Sequence, residues 1–449
     1  MSRQERQVKR LKHQKPKGTA DILPSDSFKW QYVEHVSKEL LDTYGFQEIR
    51  TPMFEDYELF QRGVGETSDV VSKEMYDFYD KGDRHIALRP EGTASVVRAY
   101  VENKLYGPEH NKPQKLYYIG PMFRYENPQG GRMRQFHQLG VEVFDSTSPQ
   151  TDVEVMVMAV RLFEKLGLKN LKLVINSLGD VEARKHYHQA LVDYFRPYKD
   201  QLSKDSQNRL EKNPLRILDS KDKKDQQFVA DAPKMLDYLD EDSKSHLEAV
   251  RQLLDELDVE YTVDPTMVRG LDYYTDTVFE IMSDDKVFGN ITTICAGGRY
   301  DNLVEDMGGP ETPAFGFALG IERILLTLES LGVEIPNPHA LDVYVVGIGG
   351  DAVNQAAFKI VEQLRLAGLK ADKDYLDRKP KAQFKSADRL HARSVMILGE
   401  EELEEGSISI KEMTKGQQGK IALTDLEKED FAGLFEEKLQ ELKEENRED

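Results

Sequence analysis

Five arginines fall at predicted strand positions and helix starts, where a side chain can be aimed at a ligand. They are Arg124, Arg132, Arg269, Arg299 and Arg323. Arginine suits this role because its planar fork of donors matches the oxygens of a phosphate. Three interspersed carboxylates could hold ammonium groups, imidazole or Mg²⁺: Glu91, Glu126 and Glu142. Such a site, with no obvious nucleophile, favours phosphoryl or nucleotidyl transfer, in which positioning and charge stabilisation supply most of the catalysis.

The sequence excludes several other chemistries. It contains no GxxxxGK[ST] phosphate loop and no GxSxG turn of the kind that carries a nucleophilic serine. The one cysteine, Cys295, rules out an intrachain disulfide and a cysteine-rich metal cluster. We therefore expect no metal site built from protein ligands alone.

Residues 115–144 predict the element that positions most of these groups, two strands joined by a long basic loop. Residues 116–126 are rich in aromatic and β-branched side chains, and residues 136–144 resume that pattern. Asn127-Pro128 and Gly130-Gly131 are turn signals between the two strands.

The second of these strands has two chemically different faces. Its even positions carry Gln138, Gly140 and Glu142, whereas the odd positions between them are apolar. The polar face is the candidate ligand face, with Gly140 leaving space for a ligand to lie close. The alternative is an amphipathic hairpin whose polar face is simply solvated.

Two helix starts also carry candidate ligand groups. Residues 89–93 open a predicted helix, and there Glu91 and Thr93 could equally serve only as a helix cap. Arg323 lies in the first turn of an apolar helix, where the positive end of the helix dipole disfavours a cation. This position favours a ligand-binding role for Arg323, and the alternative is an ordinary surface arginine.

The segment before these motifs predicts one helix and one strand. Ser25 or Asp26 is predicted to cap a helix that ends near Tyr44. Residues 46–54 then predict a strand interrupted at Pro52, because proline cannot donate to a strand ladder.

Changes in composition predict a catalytic region, a linker and a second domain. The catalytic region covers residues 1–330, with a basic tail at 1–17 and a highly charged helical insertion at about 180–257. A proline-containing linker at 331–340 leads to residues 341–449. Alternating strands and helices there predict an α/β domain with a mostly parallel sheet, ending in an acidic helix.

The charge balance restricts how this chain could bind nucleic acid. Its 449 residues carry a net charge of −20, so any nucleic acid must be held by local basic patches. Residues 1–17 and 378–393 are the candidate patches, and the alternative for each is a solvated charged face. No apolar run reaches the roughly 18 residues of a membrane helix, and no signal peptide is predicted. We therefore expect a cytoplasmic protein without membrane contact.

Several motifs together resemble a known family. Residues 123–138, FRYENPQGGRMRQFHQ, resemble motif 2 of the class II aminoacyl-tRNA synthetases, and residues 316–324, GFALGIERI, resemble motif 3. The strand through Pro52 resembles motif 1, the dimer-interface element. Residues 269–280 and 296–304 are similar to the two motifs particular to the histidyl-tRNA synthetase family, of bacterial type.

The resemblance implies an α+β catalytic domain, with an antiparallel sheet flanked by helices and a helical insertion, plus a C-terminal α/β anticodon-binding domain. It also implies a histidine–tRNA ligase. Such an enzyme activates L-histidine with ATP to histidyl-adenylate, releases pyrophosphate, and then transfers histidine to the 3′ end of tRNA(His). Mg²⁺ is expected to bridge the outer phosphates of ATP.

The resemblance further implies roles for individual residues. In the ATP site, Arg124 would hold the α-phosphate, Arg132 and Arg323 the far phosphates, Phe136 the adenine, and Glu126 would lie near the nucleotide. In the histidine site, Arg269 would touch both the histidine carboxylate and the α-phosphate, and Arg124 would also belong to this site. These two arginines are the candidate catalytic residues. The α-ammonium would be received by Glu91, Thr93 and Gln138. The imidazole would be read by Glu142, Tyr273 and Tyr274.

The implied partners are tRNA(His) and a second copy of the chain in a homodimer. Contacts to tRNA are expected from Gln129 in the hairpin loop and from four residues of the second basic patch: Arg378, Lys381, Lys385 and Arg389. Two alternatives stay open. One is a non-catalytic histidine-sensing paralogue, such as the regulatory subunit of ATP phosphoribosyltransferase, and the other is a tRNA-free amide ligase on the same fold.

Overall fold

The computed structural model describes residues 13–65, 68–269, 271–288, 292–338 and 340–444. The chain divides into two compact units, the first ending at Ile335 and the second beginning at Pro336. Most of the predicted basic tail, up to residue 12, lies outside the described residues. Within the described ranges, none of the helices has the length and apolar character needed to cross a membrane.

The first unit is built on a large sheet with a smaller one beside it. Its strands are β1 (Gln47–Glu48), β2 (Phe54–Asp56), β3 (Tyr76–Tyr79), β4 (His85–Leu88), β5 (Gln114–Phe123), β6 (Gln135–Phe144), β7 (Leu171–Ser177), β8 (Tyr261–Val263), β9 (Thr275–Ser283), β10 (Thr292–Arg299) and β11 (Ala314–Gly320). The large sheet has the order β1-β5-β6-β11-β10-β9-β7-β8, and the small one β2-β4-β3. Along this order, every neighbouring pair from β5 through β6, β11, β10 and β9 to β7 is antiparallel. Among these described strands, the edge strands β1 and β8 pair in parallel with their neighbours.

Helices cover the large sheet and share its core. They are α1 (Pro24–Thr43), α2 (Tyr57–Val64), α3 (Thr93–Glu102), α4 (Pro149–Lys165), α5 (Val181–Phe195), α6 (Lys204–Arg209), α7 (Leu215–Leu218), α8 (Lys223–Val229), α9 (Glu241–Glu256), α10 (Leu303–Asp306) and α11 (Ile321–Ser330). Helices α5 to α9 form what we call the helical segment, residues 181–256, between β7 and β8. Its buried side chains, including Leu191, Phe195 and Leu254, join the same apolar core as Val141 and Phe315 of the sheet. The predicted helical character of this region is confirmed.

One local prediction for the N-terminal part was wrong, and another was confirmed only in part. Helix α1 begins at Pro24 after Leu23, and no side chain caps it, so neither Ser25 nor Asp26 is the cap. Proline needs no cap at this position because its fixed φ suits the first helical turn. The predicted strand 46–54 is divided, since β1 belongs to the large sheet and β2 to the small one, with Pro52 in the break.

The second unit has its own sheet and core. Its elements are β12 (Val343–Ile348), α12 (Asp351–Leu366), β13 (Ala371–Lys373), α13 (Pro380–Arg389), β14 (Ser394–Gly399), α14 (Glu400–Glu405), β15 (Ser407–Glu412), β16 (Gln418–Ala422) and α15 (Phe431–Glu444). The sheet order is β13-β12-β14-β15-β16. Only the first three strands are parallel, so the predicted mostly parallel sheet is in fact mixed. The chain from β14 to β15 is too short for a parallel crossover, and it turns back at Gly406 with φ 66°.

Candidate active site

One cavity in the first unit collects the predicted ATP and histidine residues. It is open to solvent, has a volume of about 360 Å³, and lies over β6, β10 and β11. The predicted residues that line it are Glu91, Thr93, Arg124, Glu126, Arg132, Phe136, Gln138, Glu142, Arg269, Tyr273, Tyr274 and Arg323. They come from segments far apart in sequence, and antiparallel pairing of β5, β6, β11 and β10 brings those segments together.

One end of the cavity is strongly cationic. The guanidinium of Arg124 lies 5.3 Å from the centre of the Phe136 ring, and its Nε donates to the carbonyl of Pro90 at 2.8 Å. Arg323 at the start of α11 donates to the carbonyl of Thr293. Burial lowers the pKa of Arg323, and the neighbouring cations Arg132 and Arg124 lower it further. Cations gathered in this way favour an anionic ligand.

Glu126 is the carboxylate within this cationic end. Its Oε2 lies 3.3 Å from Nη1 of Arg132, but the contact lacks hydrogen-bond geometry. That oxygen is buried and accepts no hydrogen bond from the described residues. A buried carboxylate oxygen without a donor is available to a ligand or to a cation that accompanies one.

Glu142 forms the floor of the opposite end. Its side chain is 1% exposed, and its carboxylate accepts hydrogen bonds from Thr93 Oγ1, at 2.7 Å, and from the hydroxyl of Tyr300. Burial raises the pKa of Glu142 to about 8, with help from the nearby Glu91, although the hydrogen bonds from Tyr300 and Thr93 oppose the shift. Tyr273 and Tyr274 line the same end, with ring centres 4.6 Å apart.

Glu91 caps a helix and also lines the cavity. Its carboxylate caps α3 by accepting from the backbone N–H groups of Thr93 and Ala94, each at 2.8 Å. The same side chain lines the cavity, and burial raises its pKa. Gln138 lies nearby on β6, and its Oε1 is buried without a hydrogen-bond donor among the described residues. This region therefore offers acceptor oxygens to a ligand that carries N–H groups.

Arg269 is a further cation in the lining of the cavity. Its Nη1 donates to Glu280 Oε1 at 2.5 Å, and its guanidinium lies 5.0 Å from the centre of the Tyr274 ring. Its Nε is buried and has no acceptor within the described parts of the chain. The side chain is thus anchored on one side and has a donor left over on the other.

Gly140 does not leave room for a ligand, as the sequence had suggested. It pairs across the sheet with Tyr118 of β5, and a Cβ at residue 140 would collide with the Tyr118 ring. The same ring also occupies the space beside Gly92. The glycine is required here by packing of a buried tyrosine beneath the site.

Arg299 is not a ligand group. It is 2% exposed and forms a buried ion pair with Asp152 of α4, while its Nη1 donates to the carbonyl of Ser146 at 2.9 Å. The following residue, Tyr300, was not predicted but lines the cavity and binds Glu142. The sequence signal for Tyr300 was its position directly after Arg299 at the end of β10. Because consecutive residues of a strand point to opposite faces, one of the two had to face away from the other.

The residues that line the cavity do not include the predicted tRNA contacts. Gln129 is exposed in the hairpin loop, where its backbone bridges to that of Arg132. In the second unit, Lys381, Lys385 and Arg389 are exposed on α13. Arg378 is half-buried and paired with Asp374, so that its charge is largely compensated.

Comparison with known proteins identifies both units. The family model described as histidyl-tRNA synthetase matches residues 18–324, and the model described as anticodon binding domain matches residues 342–429. The curated histidine–tRNA ligase of Limosilactobacillus fermentum is 57% identical over 96% of this chain and 100% of its own length. That of Streptococcus pneumoniae is 55% identical over 95% of this chain and 98% of its own length.

Solved structures agree with the sequence relatives. The crystal structure of apo S. aureus histidyl-tRNA synthetase superposes with a TM-score of 0.79 at 46% identity, covering 92% of this chain and 98% of that one. A Bacillus halodurans chain titled as an ATP phosphoribosyltransferase regulatory subunit/histidyl-tRNA synthetase has a TM-score of 0.60 at 21% identity, over 87% of this chain and 99% of its own. That likeness shows a shared fold only.

Proposed function

The chain belongs to the histidyl-tRNA synthetase family and is a histidine–tRNA ligase, and on this premise we propose how its cavity carries out the reaction. The observation that carries the proposal is that one cavity is lined by two groups of neighbouring side chains, a cationic group around Arg323 and an acceptor-rich group around Glu142. ATP occupies the first and histidine the second. The histidine carboxylate then attacks the α-phosphate between them, which gives histidyl-adenylate and pyrophosphate.

The nucleotide is bound by arginines and by one aromatic ring. Arg124 holds the α-phosphate, and Phe136, which already packs under its guanidinium, stacks on the adenine. Arg132 and Arg323 hold the outer phosphates, so that bound ATP relieves the repulsion between these cations. Preorganised cations of this kind stabilise the charge that develops during transfer at little cost in reorganisation.

Arg269 joins the two substrates. Glu280 fixes its guanidinium through Nη1, and the unused Nε is free to bind the histidine carboxylate beside the α-phosphate. This leaves Arg269 and Arg124 as the catalytic pair, one on each reacting group. Their contribution is to align nucleophile and phosphorus and to offset negative charge.

The acceptor-rich end selects histidine. Glu91, Thr93 and Gln138 receive the α-ammonium, and Gln138 Oε1 gains the donor that it lacks in the free protein. Glu142 accepts from the imidazole, with Tyr273 and Tyr274 beside it. A site with such buried polar groups rejects amino acids of similar shape, because these would leave the polar groups unpaired.

Mg²⁺ enters as part of the ATP substrate. Among the described residues, no group of three metal-binding side chains forms a site of its own. Glu126 fits an accompanying role, because its buried Oε2 lacks a donor and lies at the cationic end. Bound there, Mg²⁺ would neutralise charge on the outer phosphates.

The second step needs tRNA, which we propose is tRNA(His). Its terminal ribose hydroxyl attacks the acyl carbon of the adenylate, with the exposed Gln129 of the hairpin loop beside the acceptor end. The second unit, which belongs to the anticodon-binding family, holds the anticodon through Lys381, Lys385 and Arg389 of α13, with Arg378 at its edge.

We also propose that the active form is a homodimer. The small sheet exposes several large apolar side chains, namely Met53 and Phe54 near β2 and Phe78 and Tyr79 on β3. An exposed apolar patch of this kind is typical of an interface between proteins. The domain limits proposed above, 1–330 and 341–449 with a linker at 331–340 and an insertion at about 180–257, are retained, and the compartment proposed is the cytoplasm, where tRNA is charged.

The histidine-sensing paralogue is the less favoured reading. Such a protein has no need for a set of phosphate-binding arginines, yet Arg124, Arg132, Arg269 and Arg323 all line the cavity. The matched anticodon-binding unit argues equally against an amide ligase that does not use tRNA.

The test is ATP–pyrophosphate exchange with each amino acid in turn, followed by charging of bulk tRNA. Exchange should require histidine, and charging should follow with one tRNA species. Binding of histidine without exchange would overturn the assignment in favour of the sensing paralogue. Exchange without charging would favour the amide ligase.

A further inference from the structure

The loop that carries the two pocket tyrosines has an unusual backbone. Tyr273 and Tyr274 precede β9, and Asp276, the second residue of that strand, has φ 37°. A residue other than glycine in this region is strained and needs surrounding contacts to hold it. The backbone of Asp276 is tied to the end of β7, since its N–H donates to Gly179 at 3.1 Å and its carbonyl accepts from Leu178 at 2.8 Å.

Further contacts to this loop come from the helical segment. Arg184 of α5 donates from Nη1 to the carbonyl of Tyr274 at 2.8 Å. Ser243 of α9 donates to Asp276 Oδ1 at 2.6 Å, and Asn213 donates to Asp272 Oδ1 at 3.2 Å. Three separate parts of the segment therefore bind residues 272–276.

Burying the Arg184 guanidinium is unfavourable, and its one hydrogen bond to the tyrosine loop is a small return in stability. Burial lowers its pKa, and four nearby carboxylates partly offset that effect: Asp276, Asp180, Asp272 and Asp306. Its Nε is buried with no acceptor among the described residues. A buried cation of this kind often contributes nothing to stability compared with an apolar side chain of the same size.

We propose that Arg184 is a positioning residue for histidine binding, through which the helical segment fixes the Tyr273–Tyr274 loop against the cavity. The inference rests on the proposed histidine-binding role of that end of the cavity. Arg184 touches no substrate. It holds the Tyr274 carbonyl, and the Tyr274 ring in turn packs 5.0 Å from Arg269 and 4.6 Å from Tyr273. A small shift of the loop would therefore misplace both tyrosines, whereas Arg269 is also held by Glu280.

The test is Arg184→Met, which keeps the unbranched apolar stem of the side chain and removes the guanidinium donors. We expect the KM for histidine in ATP–pyrophosphate exchange to rise about tenfold, as for loss of a charged hydrogen bond. The KM for ATP and kcat should change little. Arg184→Lys keeps a cation that can donate to the Tyr274 carbonyl, so it should recover much of the histidine affinity.

The matched control is Arg251→Met on α9. Arg251 is 45% exposed and pairs with Glu248 on its own helix, so its replacement should leave both KM values unchanged. If Arg184→Met does not fold, Ser243→Ala removes the neighbouring contact to Asp276 and should raise the histidine KM in the same direction. An unchanged histidine KM in the folded variant, or an equal rise for ATP, overturns the inference. Failure of the wild-type protein to exchange with histidine would instead overturn the proposed function.

Discussion

Replacing Glu142 by glutamine tests the histidine end of the cavity most directly. The amide has the shape of the carboxylate but lacks the charge that Glu142 carries above its pKa of about 8, so at such a pH the hydrogen bond to the imidazole is weakened. A hydrogen bond to a charged group is worth about 2 kcal/mol, which corresponds to a rise of roughly 30-fold in the histidine KM. The KM for ATP should stay almost unchanged, because the phosphate-binding arginines lie at the other end of the cavity.

The same substitution has a consequence for stability with a defined sign. Folding raises the pKa of Glu142 from 4.5 to about 8, so the folded protein binds this proton more tightly than the unfolded chain. The stability from that proton is fully present below about pH 4.5 and is lost as the pH rises to about 8. The full change in the free energy of unfolding between these two pH limits is on the order of 5 kcal/mol, as an upper limit. Because glutamine does not ionise, Glu142→Gln should become progressively more stable than the wild type over this range.

The measurements are exchange kinetics and denaturant unfolding at about pH 5 and about pH 9. Asp225→Asn is the control of opposite sign. Burial would raise the pKa of Asp225, but hydrogen bonds from Ser220, Ser203 and Ser206 outweigh it and lower the pKa. The stability that the ionised Asp225 side chain contributes is therefore lost only in acid. The decrease in the free energy of unfolding caused by Asp225→Asn should be the same at the two pH values. A selective loss of ATP affinity in Glu142→Gln, or a stability difference that does not grow with pH, would refute the reasoning.

Three further outcomes are expected. Arg269→Ala should abolish adenylate formation far more than it weakens equilibrium binding of histidine, and exchange close to the wild-type rate would contradict its catalytic role. Reversing the charge of Lys381 and Lys385 should weaken tRNA charging but spare exchange, whereas an equal loss of both activities would place α13 away from tRNA. Deleting residues 1–15 should weaken tRNA binding and reduce its salt dependence, and an unchanged salt slope would exclude that tail as a phosphate-binding element.

Local patterns predicted the elements of the site well. The two strands of the central hairpin are confirmed as β5 and β6, because alternation and turn signals act over a few residues. The helix after residue 92 is confirmed as α3, and the start of α11 places Arg323 in its first turn as expected. These features depend on neighbours in the sequence, which the sequence displays directly.

Features that depend on distant partners could not be predicted. Arg299 resembled a ligand group until the structure placed Asp152 against it, and nothing in the sequence pairs residues so far apart. Gly140 resembled an opening, but cross-strand register places Tyr118 there. The contact of Arg184 with the tyrosine loop was equally hidden, because it joins the helical segment to a loop 90 residues later in the chain.

Gly316 couples the nucleotide motif to the group proposed to bind the imidazole. It lies in the motif 3 strand β11, directly opposite Glu142, and a Cβ at that position would collide with the Glu142 carboxylate. A mutation there that alters the nucleotide motif would also displace the group proposed to recognise imidazole. Substitutions in this strand would thus risk attachment of the wrong amino acid to tRNA. The resulting errors in protein synthesis would be selected against.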